Sequence, residues 1–294
     1  MKRSLIALAL VIFTICGACA QTKTQTFNFG NFTSIKASYA YTVNVSKGGS
    51  NQIELICPER LAEYLEVSVL NGTLVLSADM PKSNFWNRSL NMKDGEKIIV
   101  NVQMEEIEGI SLSGAASLNA AGEFKTNYFK LTMSGASEID EPLNIQANKF
   151  TYALSGASEA VVCGMFHNIS GHISGASEFE LNADAATCTI GCSGASELKY
   201  TGNITEKVAI ECSGASEVNM KGICSDISIQ CSGASEVDAE EMRSQYATAT
   251  ASGASSIKVY ADAAFTLKAT GGSKIRYYGN GKYTPQGGAI ARGR

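Results

Sequence analysis

Between residues 108 and 280 apolar and polar positions alternate with a period of two, and the alternating block itself recurs about every twenty residues. Set in register, one apolar column reads Leu112, Met133, Leu154, Ile173, Cys192, Cys212, Cys231, Ala251 and Ala269. Two positions earlier stand Ile110, Leu131, Tyr152, Gly171, Ile190, Ile210, Ile229, Ala249 and Leu267; a further two earlier, Glu108, Phe129, Phe150, Ile169, Cys188, Val208, Ile227, Ala247 and Phe265. The residues between these columns are mostly polar, among them Ser111, Thr132, His172, Glu211, Gln230 and Lys268. Period two with one apolar side is the pattern of a strand that has one wet face. No apolar stripe with a 3.6-residue period survives the Gly and Ser content, so helical repeats are excluded.

Each block ends on Ser-Gly-Ala-Ser-Glu or a close variant. The nine copies begin at Ser113, Ser134, Ser155, Ser174, Ser193, Ser213, Ser232, Ser252 and Thr270, spaced 21, 21, 19, 19, 20, 19, 20 and 18 residues apart. A near-constant period of this size marks a solenoid, in which each coil buries its apolar side by stacking on its neighbours. Gly opens backbone conformations closed to other residues, Ala fits a crowded bend, and Ser hydroxyls bond local backbone groups, so the motif reads as a corner. A second glycine group, Gly122, Gly164, Gly202, Gly222 and Gly279, predicts a second corner with positive φ. The predicted fold is all-β: a parallel β-solenoid of about nine coils, a rod roughly 40 Å long at strand spacing.

The rest of the chain is read around that rod. Residues 1–20 have the form of a signal peptide: Lys2 and Arg3, an apolar run from Leu5 to Ile15, and the small-residue site Ala18-Cys19-Ala20. The apolar run is too short to cross a bilayer as a helix. Acylation of Cys19, giving an outer-membrane lipoprotein, is the alternative to cleavage before Gln21. Residues 21–107 read as a β-rich cap with opening coils, containing a hairpin turned at Asn71-Gly72, a single helical turn within Pro58–Tyr64 and an exposed loop around Trp86. Residues 108–283 are the solenoid, and 284–294 read as a loose, basic tail.

Without Lys2 and Arg3, 22 basic side chains face 28 acidic ones, a net charge near −6 that argues against nucleic acid. Seven cysteines lie beyond residue 20. Cys188, Cys192, Cys212 and Cys231 occupy apolar columns and read as buried thiols that pack like small hydrophobes. Cys192, Cys212 and Cys231 stand one strand apart, near enough for a bridge by distance, but in-register parallel side chains suit its torsion poorly. No Cys-x₂-Cys pair or His placement completes a zinc site.

An exported chain opening on Phe27-x-Phe29-x-x-Phe32-x-x-Ile35, followed by a Val-rich hairpin region and Gly-Ala-Ser repeats, resembles the head GIN domain family of auto-transporter adhesins over residues 27–278. The resemblance implies a β-solenoid on exported bacterial proteins, in the periplasm, at the cell surface or outside the cell, with an adhesin role and no catalytic motif to carry over.

One charged feature repeats, the column Glu138, Glu159, Glu178, Glu197, Glu217 and Glu236, with Ser117, Ser256 and Lys274 at its ends. Stacked carboxylates about 5 Å apart repel by roughly 1 kcal/mol per exposed pair. The column is thus the candidate stripe for Ca²⁺ or sugar hydroxyls, against the alternative of a solvated ladder that keeps the surface soluble. No other cofactor is implied. Two histidines are a thin supply for acid–base chemistry: His172 falls on an outward position and His167 in the preceding turn. The Gly-x-Ser patterns make no nucleophile elbow, since no helix follows a strand there. Two function classes follow. The first is a non-enzymatic binding module that engages glycan, protein or matrix through a repetitive face. The second is a β-helix polysaccharide lyase or glycosidase, which needs one carboxylate made unlike its neighbours, and the repeat makes them alike. A structural envelope role is not separated from adhesion by sequence.

Overall fold

The computed structural model describes residues 22–79, 92–93, 95–286 and 289–293. The proposed signal peptide, Cys19 and Trp86 lie outside the described residues. Strands account for most of the described residues, and the only helical element among them is a 3₁₀ turn at Glu59–Leu61, inside the segment expected to turn.

The solenoid proper runs through β10 (Glu123–Met133), β11 (Glu138–Leu154), β12 (Glu159–Ile173), β13 (Glu178–Cys192), β14 (Glu197–Cys212), β15 (Glu217–Cys231), β16 (Glu236–Ala251), β17 (Ser256–Ala269) and β18 (Lys274–Tyr278). Successive strands pair in parallel with like positions opposite, so that Cys192 faces Cys212 and Cys212 faces Cys231. Every residue of the column from Leu112 to Ala269 is buried. So are Phe129, Phe150, Ile169, Cys188, Val208, Ile227, Ala247 and Phe265. Glu108, at the head of that column, is exposed and accepts from the Thr33 hydroxyl at 2.5 Å, while Ile107 beside it is buried. Phe150 is the hub of an aromatic stack with Phe129 at 5.2 Å and Phe166 at 4.9 Å between centroids.

The Ser-Gly-Ala-Ser corners stack as well as the strands do. From Gly114 to Gly271 the first glycine of each motif has φ between 68° and 79°. The following Ala N–H donates to the preceding coil's glycine carbonyl at 2.7–2.8 Å, from Ala136 through Ala254. The second serine points inward: Ser137, Ser158, Ser177, Ser196, Ser216, Ser235, Ser255 and Ser273 are all buried. From Ser158 onward its hydroxyl donates to the carbonyl three residues back, as Ser196 does to Ser193 at 2.9 Å. A buried hydroxyl thereby closes each turn instead of facing water. At the second corner Gly122, Gly202, Gly222 and Gly279 have the expected positive φ, but Gly164 does not. Gly164 is needed for room: a Cβ there would sit 1.7 Å from the Ile145 carbonyl oxygen.

The N-terminal part contains β1 (Thr22–Asn28), β2 (Ser34–Ala37), β3 (Tyr41–Lys47), β4 (Gln52–Pro58), β5 (Leu65–Leu70), β6 (Thr73–Ala78), β7 (Ile98–Met104), β8 (Gly109–Leu112) and β9 (Ser117–Ala121). Its strands form two ladders that continue the faces of the rod. One runs β1–β4–β7–β3–β9, with the β1–β4 and β4–β7 pairings antiparallel; the other runs β5–β6–β2–β8, with β5–β6 an antiparallel hairpin turned at Asn71 (φ 50°) and Gly72 (φ 74°). Ser38-Tyr39-Ala40 is a further corner in which Tyr39, at φ 67°, stands where later coils have glycine, and its carbonyl accepts from Ala115 at 2.6 Å.

The chain end corrects an expectation. Residues 284–294 do not form a loose tail throughout, because β19 (Lys282–Gln286) pairs with β17 and β20 (Ala289–Arg292) pairs with β18, both in parallel. Backbone pairing on an existing ladder needs no alternating side chains, so the absence of periodicity concealed it.

Candidate binding surface

The first residue after each corner starts the next strand on its wet side, and parallel in-register pairing therefore stacks the six glutamates. Glu138 faces Glu159, then Glu178, Glu197, Glu217 and Glu236 follow in unbroken order, with Ser256 and Lys274 beyond. Glu138, Glu159, Glu217 and Glu236 are exposed, and Glu178 and Glu197 are half-buried.

The position two residues on shares the same face, and it makes the ladder uneven. Lys199 reaches back to Glu178 at 2.9 Å and to Glu197 at 3.0 Å, and these two carboxylates hold its ammonium charged well above the ordinary lysine range. Lys258 pairs with Asp238 at 2.5 Å, Lys221 with Glu241 at 2.6 Å, and Asn219 donates to Glu217 at 2.9 Å. At the other end Glu138 has Asp140 beside it; their shared hydrogen bond, then burial, then the Asp140 and Glu159 charges raise the Glu138 carboxyl above the usual carboxylate range. Lys199, Asp140, Asp238 and Lys258 were not singled out from the sequence. The signal was there: in a strand, Glu-x-Lys and Glu-x-Asp share a face.

Among the described residues no group of three or more His, Cys, Asp or Glu side chains is placed to hold a metal ion. Side chains of a parallel ladder project side by side at strand spacing and do not converge on one point.

The other face of the rod carries small hydroxyls and a shallow groove. His167 is exposed within β12 and not in a turn, while His172 is exposed as expected, with Nε2 2.9 Å from the Ser193 hydroxyl. Its ring lies over Gly191, where a Cβ would meet Nδ1 at 2.5 Å. Beside it runs a groove of about 350 Å³ lined by His172, Gly191, Glu211, Gln230, Thr250 and Ser213. Cys192, Cys212 and Cys231 lie beneath it as buried free thiols. Contact with Cys192, set against one with Cys231, together with burial, pushes Cys212 up to about 12.

The stacked coils and the repeated acidic face define the class: a parallel β-solenoid. Residues 31–205 and 172–281 match the family described as putative auto-transporter adhesin, head GIN domain, and the chain belongs to that family. Solved structures share the fold. A putative adhesin from Parabacteroides merdae aligns at a TM-score of 0.61 and 14% identity, covering 87% of this chain and 95% of its own. A putative adhesin from Parabacteroides distasonis aligns at 0.52 and 12%, covering 93% and 97%. No curated protein matches the chain. No described helix is long and apolar enough to cross a membrane.

Proposed function

We propose that the chain is a non-enzymatic, exported binding module of the adhesin family that engages an extracellular glycan, protein or matrix surface through its glutamate-bearing face. The observation that carries this reading is the unbroken register from Glu138 to Glu236, which presents a carboxylate at the same place on six successive coils. Such repetition suits weak contacts multiplied along an extended ligand, where linked sites raise avidity without one strong pocket. A divalent cation that bridges ligand and carboxylates at Glu178, Glu197 and Glu217 must displace Lys199 from the first two. Export places the protein in the periplasm, at the cell surface or outside the cell, and acylated Cys19 would tether it to the outer membrane.

A glycan-array and cell-binding screen of the full chain, with and without Ca²⁺, tests the reading. Binding is expected, and the triple variant Glu178→Gln, Glu197→Gln, Glu217→Gln is expected to keep its fold and lose binding. Depolymerisation of a polysaccharide by the purified protein, abolished by one Glu or His substitution, would instead establish the lyase or glycosidase reading.

A further inference from the structure

The last coils differ in charge from the rest of the rod. After Asp262 the chain has no acidic residue, yet it carries Lys268, Lys274, Arg276, Lys282 and Arg292. All five are exposed. Among the described residues no ion pair engages any of them; what sets them apart from unpaired lysines earlier in the rod, such as Lys130 and Lys149, is that no acidic residue follows Asp262. The five belong to the final strands of both ladders: Lys268 on β17, Lys274 and Arg276 on β18, Lys282 on β19 and Arg292 on β20. Every one therefore lies within about two strand spacings, roughly 10 Å, of the end of the rod. Ala289 and Ala291 stand beyond Lys274 and Arg276 in register and are too short to cover them.

A second feature of the same end is aromatic. Tyr277, Tyr278 and Tyr283 are each partly exposed, and Tyr277 and Tyr283 pack at 4.8 Å between centroids. Tyrosine beside lysine and arginine is suited to a boundary where one side is apolar and the other wet and anionic.

We propose that the C-terminal coil is a docking surface for an anionic lipid bilayer, against which the rod stands end-on. Headgroup phosphates meet the five cations, and the half-exposed Tyr277 and Tyr278 lie at the level of the headgroups, with Tyr283 packed behind Tyr277 and its hydroxyl buried. The acidic face disfavours one alternative, since a rod lying on that face would press Glu138–Glu236 against like charge, and the position of all five cations at the last coils favours the end-on pose. With the rod upright, Glu236 stands two coils inward of Lys274, about 10 Å, beyond the screening length of roughly 8 Å at physiological salt. The glutamate face then projects away from the membrane. This inference does not depend on the adhesion reading, because the two concern different ends of the surface and different assays.

Co-sedimentation of the full chain with vesicles tests it, comparing pure phosphatidylcholine with an equimolar mixture of phosphatidylcholine and phosphatidylglycerol. Partitioning into the anionic vesicles should exceed that into the neutral ones by at least about tenfold, each basic residue near the surface contributing roughly fivefold. Binding should vanish near 1 M salt, where screening acts within about 3 Å. The variant Lys274→Gln, Arg276→Gln, Lys282→Gln should lose binding with an unchanged melting curve, and Lys274→Arg, Lys282→Arg should retain it. Equal partitioning into both vesicle types by the wild-type chain overturns the proposal without recourse to any variant. So does binding of soluble inorganic polyphosphate with no binding to anionic vesicles, which would make the coil a site for free phosphate. Survival of binding in a folded triple-Gln variant overturns it as well.

Discussion

The carbonyl oxygen of Gly156 accepts a hydrogen bond from Ala176 at 2.7 Å, and a methyl group placed on Gly175 would lie 2.4 Å from that same oxygen. Gly175 is thus held to glycine twice, by its φ of 75° and by the coil stacked beneath it. Gly175→Ala should destabilise the fold by at least about 2 kcal/mol, read as a shift in the denaturant midpoint. An unchanged midpoint would show that the corners slide apart at no cost, contrary to the register described above.

The buried serines separate into two kinds. Ser196 donates to Ser193 from a fully buried position, whereas the Ser137 hydroxyl is buried with no partner. Ser196→Ala should cost about 1 kcal/mol, and Ser137→Ala should be neutral or stabilising, since it removes a group that lost its water without gaining a bond. Equal losses at the two sites in thermal melts would contradict the difference.

Burial of Ile210 and Ile229 is complete or nearly so. Replacing either with Asp puts an unpaired charge among apolar neighbours and should cost several kcal/mol, enough to unfold adjoining coils. Amide hydrogen exchange localises the loss: protection should fall first in β14 and β15 for Ile210→Asp.

Glu138 gives a pH dependence whose sign is fixed. Its carboxyl is raised by Asp140, so between the ordinary glutamate value and the raised one the folded chain holds more protons than the unfolded chain. Stability from this group is therefore present at low pH and lost as pH rises through that window. Asp140→Asn should lower Glu138 toward the ordinary range, leaving only the smaller effects of burial and Glu159, visible in a carboxyl-carbon NMR titration, and flatten that part of the stability–pH curve. A titration unmoved by the substitution would falsify the coupling.

Of the seven described cysteines only Cys163 is not buried. Burial pushes Cys188 up to about 12, and Cys212 reaches a similar value. At pH 8 such thiols are about one part in ten thousand thiolate. Native protein should therefore react quickly with a thiol reagent at Cys163 alone, the others following on unfolding; peptide mapping of labelled protein checks the site.

Much of this was legible in the residues themselves. The alternation from Ile110 to Ile275 named the buried columns, the nine corners counted the coils, and Asn71-Gly72 placed the hairpin. The glutamate ladder followed from the same register. What the sequence concealed has a common cause. Side-chain period records which face is wet, but the partner and direction of each strand are settled by backbone groups that every residue possesses.

By itself, then, the sequence determined that each twenty-residue block is a strand-forming coil with a dry side, because only stacking buries that side. Tertiary structure alone decided that β4 and β5 run against the other strands at the opening of the rod, that β19 and β20 pair onto its last described strands, and that Tyr39 turns a corner without glycine. It also decided that Lys199 neutralises the middle of the acidic face while Glu138 and Asp140 are left to repel. Those outcomes depend on which atoms of distant coils come within a few ångströms of one another, and that distance is set by packing, not by any residue alone.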